Sequence, residues 1–146
     1  MSKDFKLTRQ LLLDCLQEEW GQYIAAYQRL SSDEQRAFLQ RQGYPSLHDL
    51  LAHICAWWEE GLQIVTSILD NAELPKREYD VDAFNLEAIQ RFETWTQDDL
   101  LAHFENLREA WLDLVAELPE NAYDNRRIAG WMHAVVTEHA EEHQIG

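Results

Sequence analysis

Two histidines close to the C-terminus, His139 and His143 in EHAEEHQIG, stand four residues apart. On a helix that spacing is a rotation of roughly 40° and a rise of about one turn, so both imidazoles leave one face. Such a pair is a common way for a helix to offer two nitrogens to one metal ion. The plain alternative is a solvated helix end, where protonated histidine is favoured by the macrodipole. Zinc in a catalytic site takes three protein ligands and keeps a further place for water. The pair therefore asks for a third ligand, and His53 is the natural one. The other histidines fail on geometry. His48 is roughly 140° round its helix from His53, and His133 roughly 120° from His139. His103 lies between the core positions of another helix. Three neutral imidazoles suit a divalent transition metal, Zn²⁺ or Ni²⁺, and make a Lewis-acid centre. That chemistry brings the pKa of water, or of a low-molecular-weight thiol, towards neutrality. Glu60 lies seven residues past His53 on the same side of its helix. It is the candidate catalytic base, with a solvated surface glutamate as the alternative.

These residues need elements to hold them. Four long amphipathic patterns run along the chain, and no sustained period-2 run competes with them. The first covers about Thr8 to Leu30, with Leu12, Leu16, Trp20, Tyr23, Tyr27 and Leu30 as its stripe. A short extra helix follows a Ser cap in SSDEQRAFL. The second long helix opens at Ser46, with Asp49 three residues on as in a capping box, and runs to about Asn71, where Asn71 and Pro75 end it. The third is capped at Thr96 and runs to Leu118, stopped by Pro119. The fourth runs from Arg126 to Gly146 as one helix; Ile128, Met132, Val135 and Val136 mark its inward face, and His139 and His143 continue it. The expected fold is all-α, a four-helix bundle in one domain over residues 1–146.

The histidines constrain its topology. His53 lies about 10 Å from the start of the second helix, whereas His139 and His143 lie at the far end of the fourth. They meet only if those helices run antiparallel, which an up-down-up-down bundle forbids and an up-down-down-up bundle provides. That arrangement needs a long crossover between the second and third helices. Residues 72–96 supply about 25 residues, more than an ordinary bundle connection. Within them Asp82 is expected to cap a short helix, AFNLEAIQRF. Asn85 in it is open to two readings, a ligand contact or a structural hydrogen bond. Trp57 has a similar pair, pocket wall or core packing.

Composition removes several function classes. Net charge is −15, from 27 acidic and 12 basic residues, with no basic cluster. Nucleic acid and anionic membrane surfaces are therefore expected to be repelled. Cys15 and Cys55 make no disulfide framework and read as buried, inert thiols. The N-terminus has no apolar signal-like region and no run is long enough to span a bilayer, so a cytoplasmic setting is expected. Six tryptophans supply much of the buried area.

LLAHICAWWEEGL followed far downstream by EHAEEHQIG resembles the DinB-like superfamily. The resemblance implies a four-helix bundle with a crossover, a metal held at the positions of His53, His139 and His143, and a homodimer. It implies thiol-dependent S-transfer or isomerisation as activities known among members. DVDAFNLEAIQRF is similar to the ClbS/DfsB branch, whose members carry an asparagine in this stretch; Asn85 matches. Two function classes follow. One is a metal-dependent enzyme acting on a small electrophile by thiol S-transfer or hydrolysis, in detoxification. The other is a non-catalytic protein that binds a small molecule for self-protection, with structural histidines.

Overall fold

The computed structural model describes residues 6–71 and 77–145. Among them there are helices and turns and no strand. The elements are α1 (Arg9–Asp14), a π-helical turn (Cys15–Glu19), α2 (Tyr23–Arg29), α3 (Ser32–Gln42), α4 (Leu47–Leu69), α5 (Val81–Phe92), α6 (Gln97–Glu117), a 3₁₀ turn (Glu120–Asp124), α7 (Arg126–Met132), a second π-helical turn (His133–Glu138) and α8 (His139–Glu142). No described helix is long and apolar enough to cross a membrane.

Side-chain contacts give the directions. Trp58 Nε1 donates to the Val135 carbonyl while His53, one turn and a half earlier, meets His139 and His143; α4 is thus antiparallel to α7–α8. His48 reaches the Trp95 carbonyl, and Glu59 reaches His103, so α4 and α6 run parallel. Arg9 bonds the carbonyls of Val115 and Leu118, and Arg108 that of Leu16, which sets α1 antiparallel to α6. The order is up-down-down-up, as the histidine positions required. The crossover is visible from Arg77, extended to Asp80 and then helical in α5. The part of it expected over residues 72–76, Pro75 included, lies outside the described residues.

α4 is the central helix. Leu50, Leu51, Ile54, Trp58 and Val65 are buried on it, and Ile64 joins them. Each such side chain contributes about 1.5–3 kcal/mol by leaving water. α4 also packs closely: a Cβ on Gly61 would lie 3.0 Å from Trp111 and 3.1 Å from Val135, a tight approach to both α6 and the last helix. Trp58 stacks on Phe104 at 5.1 Å, tying α4 to α6 nearer the histidines.

Three sequence expectations need correcting. The first long helix is not continuous. It is widened over Cys15–Glu19 and turns over Trp20–Gln22 before α2. Gly21 permits that turn: a Cβ there would sit 2.0 Å from the Gln17 carbonyl oxygen. The last helix is likewise widened, over His133–Glu138. The second widening meets a packing demand. Buried indole N–H groups usually find acceptors; the Trp111 N–H has none, but those of Trp58 and Trp20 do. Trp58 takes the Val135 carbonyl at 2.7 Å and Trp20 the Val136 carbonyl at 3.0 Å. A π-turn loosens the i→i−4 ladder enough to turn carbonyls sideways. That helix ends at Glu142, where the Tyr23 hydroxyl donates to the His143 carbonyl at 2.7 Å; Gly146, its expected end, lies outside the described residues.

The third correction is local. Asp80, not Asp82, caps α5, its carboxylate accepting from Ala83 N–H at 3.1 Å. Asp82 falls in the first turn, where its charge still suits the helix dipole. Ser46 caps α4 by accepting from Asp49 N–H, and Ser31 with Glu34 forms the reciprocal box on α3.

Candidate metal centre

His53 sits on the second turn of α4, His139 opens α8, and His143 is the residue that ends it. The antiparallel packing of α4 on the last helix brings all three together beneath the surface, with exposures of 8%, 5% and 6%. Their Nε2 atoms converge. His53 Nε2 lies 3.0 Å from His139 Nε2 and 3.1 Å from His143 Nε2. One ligand atom from each lies within 4.8 Å of the others.

The opposite nitrogens decide what those Nε2 atoms are. Trp57 Nε1–H, which can only donate, gives to Asn85 Oδ1 at 2.8 Å. The Asn85 atom facing the ring is therefore its oxygen, and His53 Nδ1 must donate to it at 3.0 Å. Gln42 Oε1 accepts from His143 Nδ1 at 2.6 Å. A neutral imidazole that donates from Nδ1 has a bare lone pair at Nε2. Two bare lone pairs then face each other across 3.1 Å. His139 adds its own Nε2, and its buried Nδ1 has no hydrogen-bond partner; the Val135 carbonyl one turn back favours its charged form yet falls short of bonding geometry.

Charge on the imidazoles does not relieve this. Burial lowers the pKa of His53. Burial, then the neighbouring His143 and His53, hold His139 well below its ordinary value. Burial and His53 lower His143 to about 4. The trio is thus neutral at pH 7, the state in which imidazole ligates metal. One proton shared from His139 can serve only one of the contacts. A cation serves all three, and nitrogens bound at about 2.0–2.1 Å to one ion lie roughly 3 Å or slightly more apart. The residues present therefore fit a divalent transition metal.

Beside the trio opens a cleft of about 720 Å³. His53 and His139 form its floor, Trp57, Tyr79 and Trp131 its aromatic wall. Trp131 lies 6.3 Å from Trp57 and 5.6 Å from Tyr79, centroid to centroid. Glu138 and Glu142 line the cleft next to His139; burial and the charge of Glu138 raise the Glu142 carboxyl.

The model of the DinB superfamily matches residues 10–145. This chain belongs to the DinB superfamily. No curated protein and no solved structure matches it. Its three histidines stand in one place, on two helices that run antiparallel in this chain.

The remaining candidate residues are elsewhere. Glu60 is not among the residues lining the cleft. Its Oε2 accepts from Arg77 at 2.7 Å and from the Tyr79 hydroxyl at 2.5 Å, so it grips the crossover segment from outside. His48 holds the Trp95 carbonyl, His103 pairs with Glu59, and His133 bonds Thr137; none reaches the trio. Cys15 and Cys55 are buried free thiols raised by burial, as their neighbours implied. Sequence reasoning missed Gln42 altogether and left Asn85 and Trp57 open. Asn85 and Trp57 turn out to share one hydrogen bond network with His53. Asn85 in the crossover helix carried a signal, since a polar residue facing α4 needs a partner; Gln42, at the end of α3, carried none.

Proposed function

We propose that this DinB chain is a metal-dependent enzyme acting on small electrophilic molecules, with His53, His139 and His143 holding one Zn²⁺ or Ni²⁺. The observation that carries the reading is the convergence of three Nε2 atoms, with the Trp57–Asn85–His53 chain leaving the His53 lone pair bare. A metal there supplies Lewis acidity, which makes water or a low-molecular-weight thiol nucleophilic near neutral pH. The chain's own residues do the rest. Asn85 and Gln42 orient two of the rings. The aromatic wall seats the substrate and displaces water. Glu138 and Glu142, on the cleft beside His139, are placed to take or return a proton, and Glu60 acts through Tyr79 and Arg77, which line the cleft. Thiol S-transfer and hydrolysis are the two reactions this set suits. Asn85 at the ring of His53 supports a place in the ClbS/DfsB-like branch, and unpaired buried thiols suit a cytoplasmic protein.

A second reading, a non-catalytic small-molecule binder, is favoured by the aromatic cleft alone. Elemental analysis of untagged protein separates the two, followed by a screen of thiols and electrophiles with and without chelator. About one metal ion per chain and chelator-sensitive turnover are expected. Protein that retains no Zn²⁺ or Ni²⁺ after loading and desalting sinks the enzyme reading.

A further inference from the structure

The cleft is electrically polarised along its length. At the histidine end stand Glu138 and Glu142. At the other end stand Arg126 and Arg127, the first residues of α7, with Arg77 across from them on the crossover. Arg77 is committed to Glu60 at 2.7 Å. Arg126 and Arg127 have no acidic partner among the described residues. In a chain with 27 acidic residues against 12 basic ones, acid partners are plentiful, and Arg9, Arg36, Arg91 and Arg108 each have one. Arg29 and Arg41 also have none among the described residues, but they do not line the cleft, and Arg126 and Arg127 do. Two adjacent arginines left without one, on the rim of the same apolar cleft, are placed to meet an anion that the protein does not contain. The bland reading is that they are solvated surface charges. Against it stands the arrangement: aromatic wall between, carboxylates and imidazoles at the opposite end.

We propose that the cleft takes an elongated small molecule with an apolar body and a terminal carboxylate, the carboxylate held by Arg126 and Arg127 and the body laid along Trp57, Tyr79 and Trp131. Arg127 is twelve residues before His139, roughly 18 Å along the helix at 1.5 Å per residue. Trp131 stands about a third of the way. A molecule that fills the cleft therefore presents its far end to the histidines. Glu138 and Glu142 repel a second anionic group there, which fixes the orientation. A planar guanidinium fork matches a carboxylate in two parallel hydrogen bonds, and low water content along the aromatic wall strengthens them. That the far end is the reacting end rests on the function proposed above; the carboxylate end does not.

The test is binding, measured on metal-free protein by quenching of tryptophan fluorescence. The probes are 4-(biphenyl-4-yl)butanoate and its uncharged primary amide, which share one apolar body. The carboxylate is expected to bind about tenfold tighter than the amide. In the double variant R126A/R127A the two affinities should come within about twofold, with amide binding and melting temperature unchanged. W131A should weaken both probes alike, and added salt only the carboxylate. Equal affinities in the unsubstituted protein, a preference that survives the double substitution, or no binding of either probe at millimolar concentration overturns the proposal. Because the chelated protein is used, loss of the metal reading leaves this outcome interpretable, and metal content is measured without reference to the arginines.

Discussion

Asn85 Oδ1 receives both the indole N–H of Trp57, at 2.8 Å, and the Nδ1–H of His53, at 3.0 Å. A residue of the crossover helix thus decides which nitrogen of an α4 histidine stays bare. Outer partners of this kind typically change metal affinity 10–100-fold when lost. Asn85→Ala is expected to weaken Zn²⁺ binding by roughly that factor, whereas Asn85→Asp keeps an acceptor for both donors and retains affinity. Competition against a chromophoric chelator measures it. Equal affinities for the two variants would show that His53 orients itself without help.

Metal should stabilise the fold through the trio and nowhere else. Anything bound only by the native state raises the melting temperature. The rise on adding Zn²⁺, compared with chelator, should vanish in His139→Ala and persist in His133→Ala, because His133 bonds Thr137 away from the cluster. Using the difference within each variant removes the cavity cost of the substitution itself. A response that is the same in both variants places any bound metal outside the trio.

Without metal, stability should fall on acidification. His53, His139 and His143 all have folded-state pKa values lowered by burial, His143 to about 4. The unfolded chain binds protons near 6.5 while the folded one does not. Unfolding therefore takes up protons, and stability is fully present above about pH 6.5 and lost as pH falls towards 4. The loss is on the order of a few kcal/mol, with the three rings titrating as one unit. Urea midpoints in chelator at pH 7.5 and pH 5 provide the measurement. His143→Asn should flatten the dependence; a flat profile in the unsubstituted protein contradicts the buried neutral trio.

His53, His139 and His143 were legible together because helical periodicity and the length of the crossover each demanded the same antiparallel packing. The topology followed from those three positions. The π-turn in the last helix was not legible: it forms where Trp20 and Trp58 reach the carbonyls of Val136 and Val135 from other helices, and nothing local to HAVVTE announces an indole more than seventy residues away. Gln42 was hidden for the same reason, since it meets His143 only after α3 docks. The tryptophans, expected to supply much of the buried area, do so in part: Trp20, Trp58 and Trp111 are fully buried, and Trp57 and Trp131 line the cleft. Trp95 alone is exposed, at 36%.

Gly61→Ala sets two effects against each other. Alanine gains about 1 kcal/mol of helix propensity over glycine. Its Cβ would stand 3.0 Å from Trp111 and 3.1 Å from Val135, and Trp111 is fully buried. Overpacking of this kind costs about 1–3 kcal/mol. The net expectation is destabilisation by roughly 1 kcal/mol, read as a lower urea midpoint at unchanged slope. A gain in stability would mean that α6 yields at Trp111.

Glu60→Gln separates a base from a clamp. Glu60 is held in place by two donors, Arg77 and Tyr79, and its side chain is 12% exposed. Burial and the charge of Glu60 raise the Tyr79 hydroxyl to about 12, so the tyrosine stays a donor and Glu60 stays its acceptor. If the carboxylate serves to pin the crossover segment against α4, the amide should weaken that grip by about 1 kcal/mol, roughly fivefold in local opening. Trypsin should then cut after Arg77 about that much faster, while Zn²⁺ affinity stays the same, since Glu60 is seven residues, about 10 Å, along α4 from His53. Looser walls also raise KM more than they lower kcat. A base acting in the chemical step gives the opposite pattern: kcat falls, KM holds, and the rate of cleavage after Arg77 does not change. The proteolysis measurement needs no substrate, and unchanged cleavage in Glu60→Gln rules out the clamp.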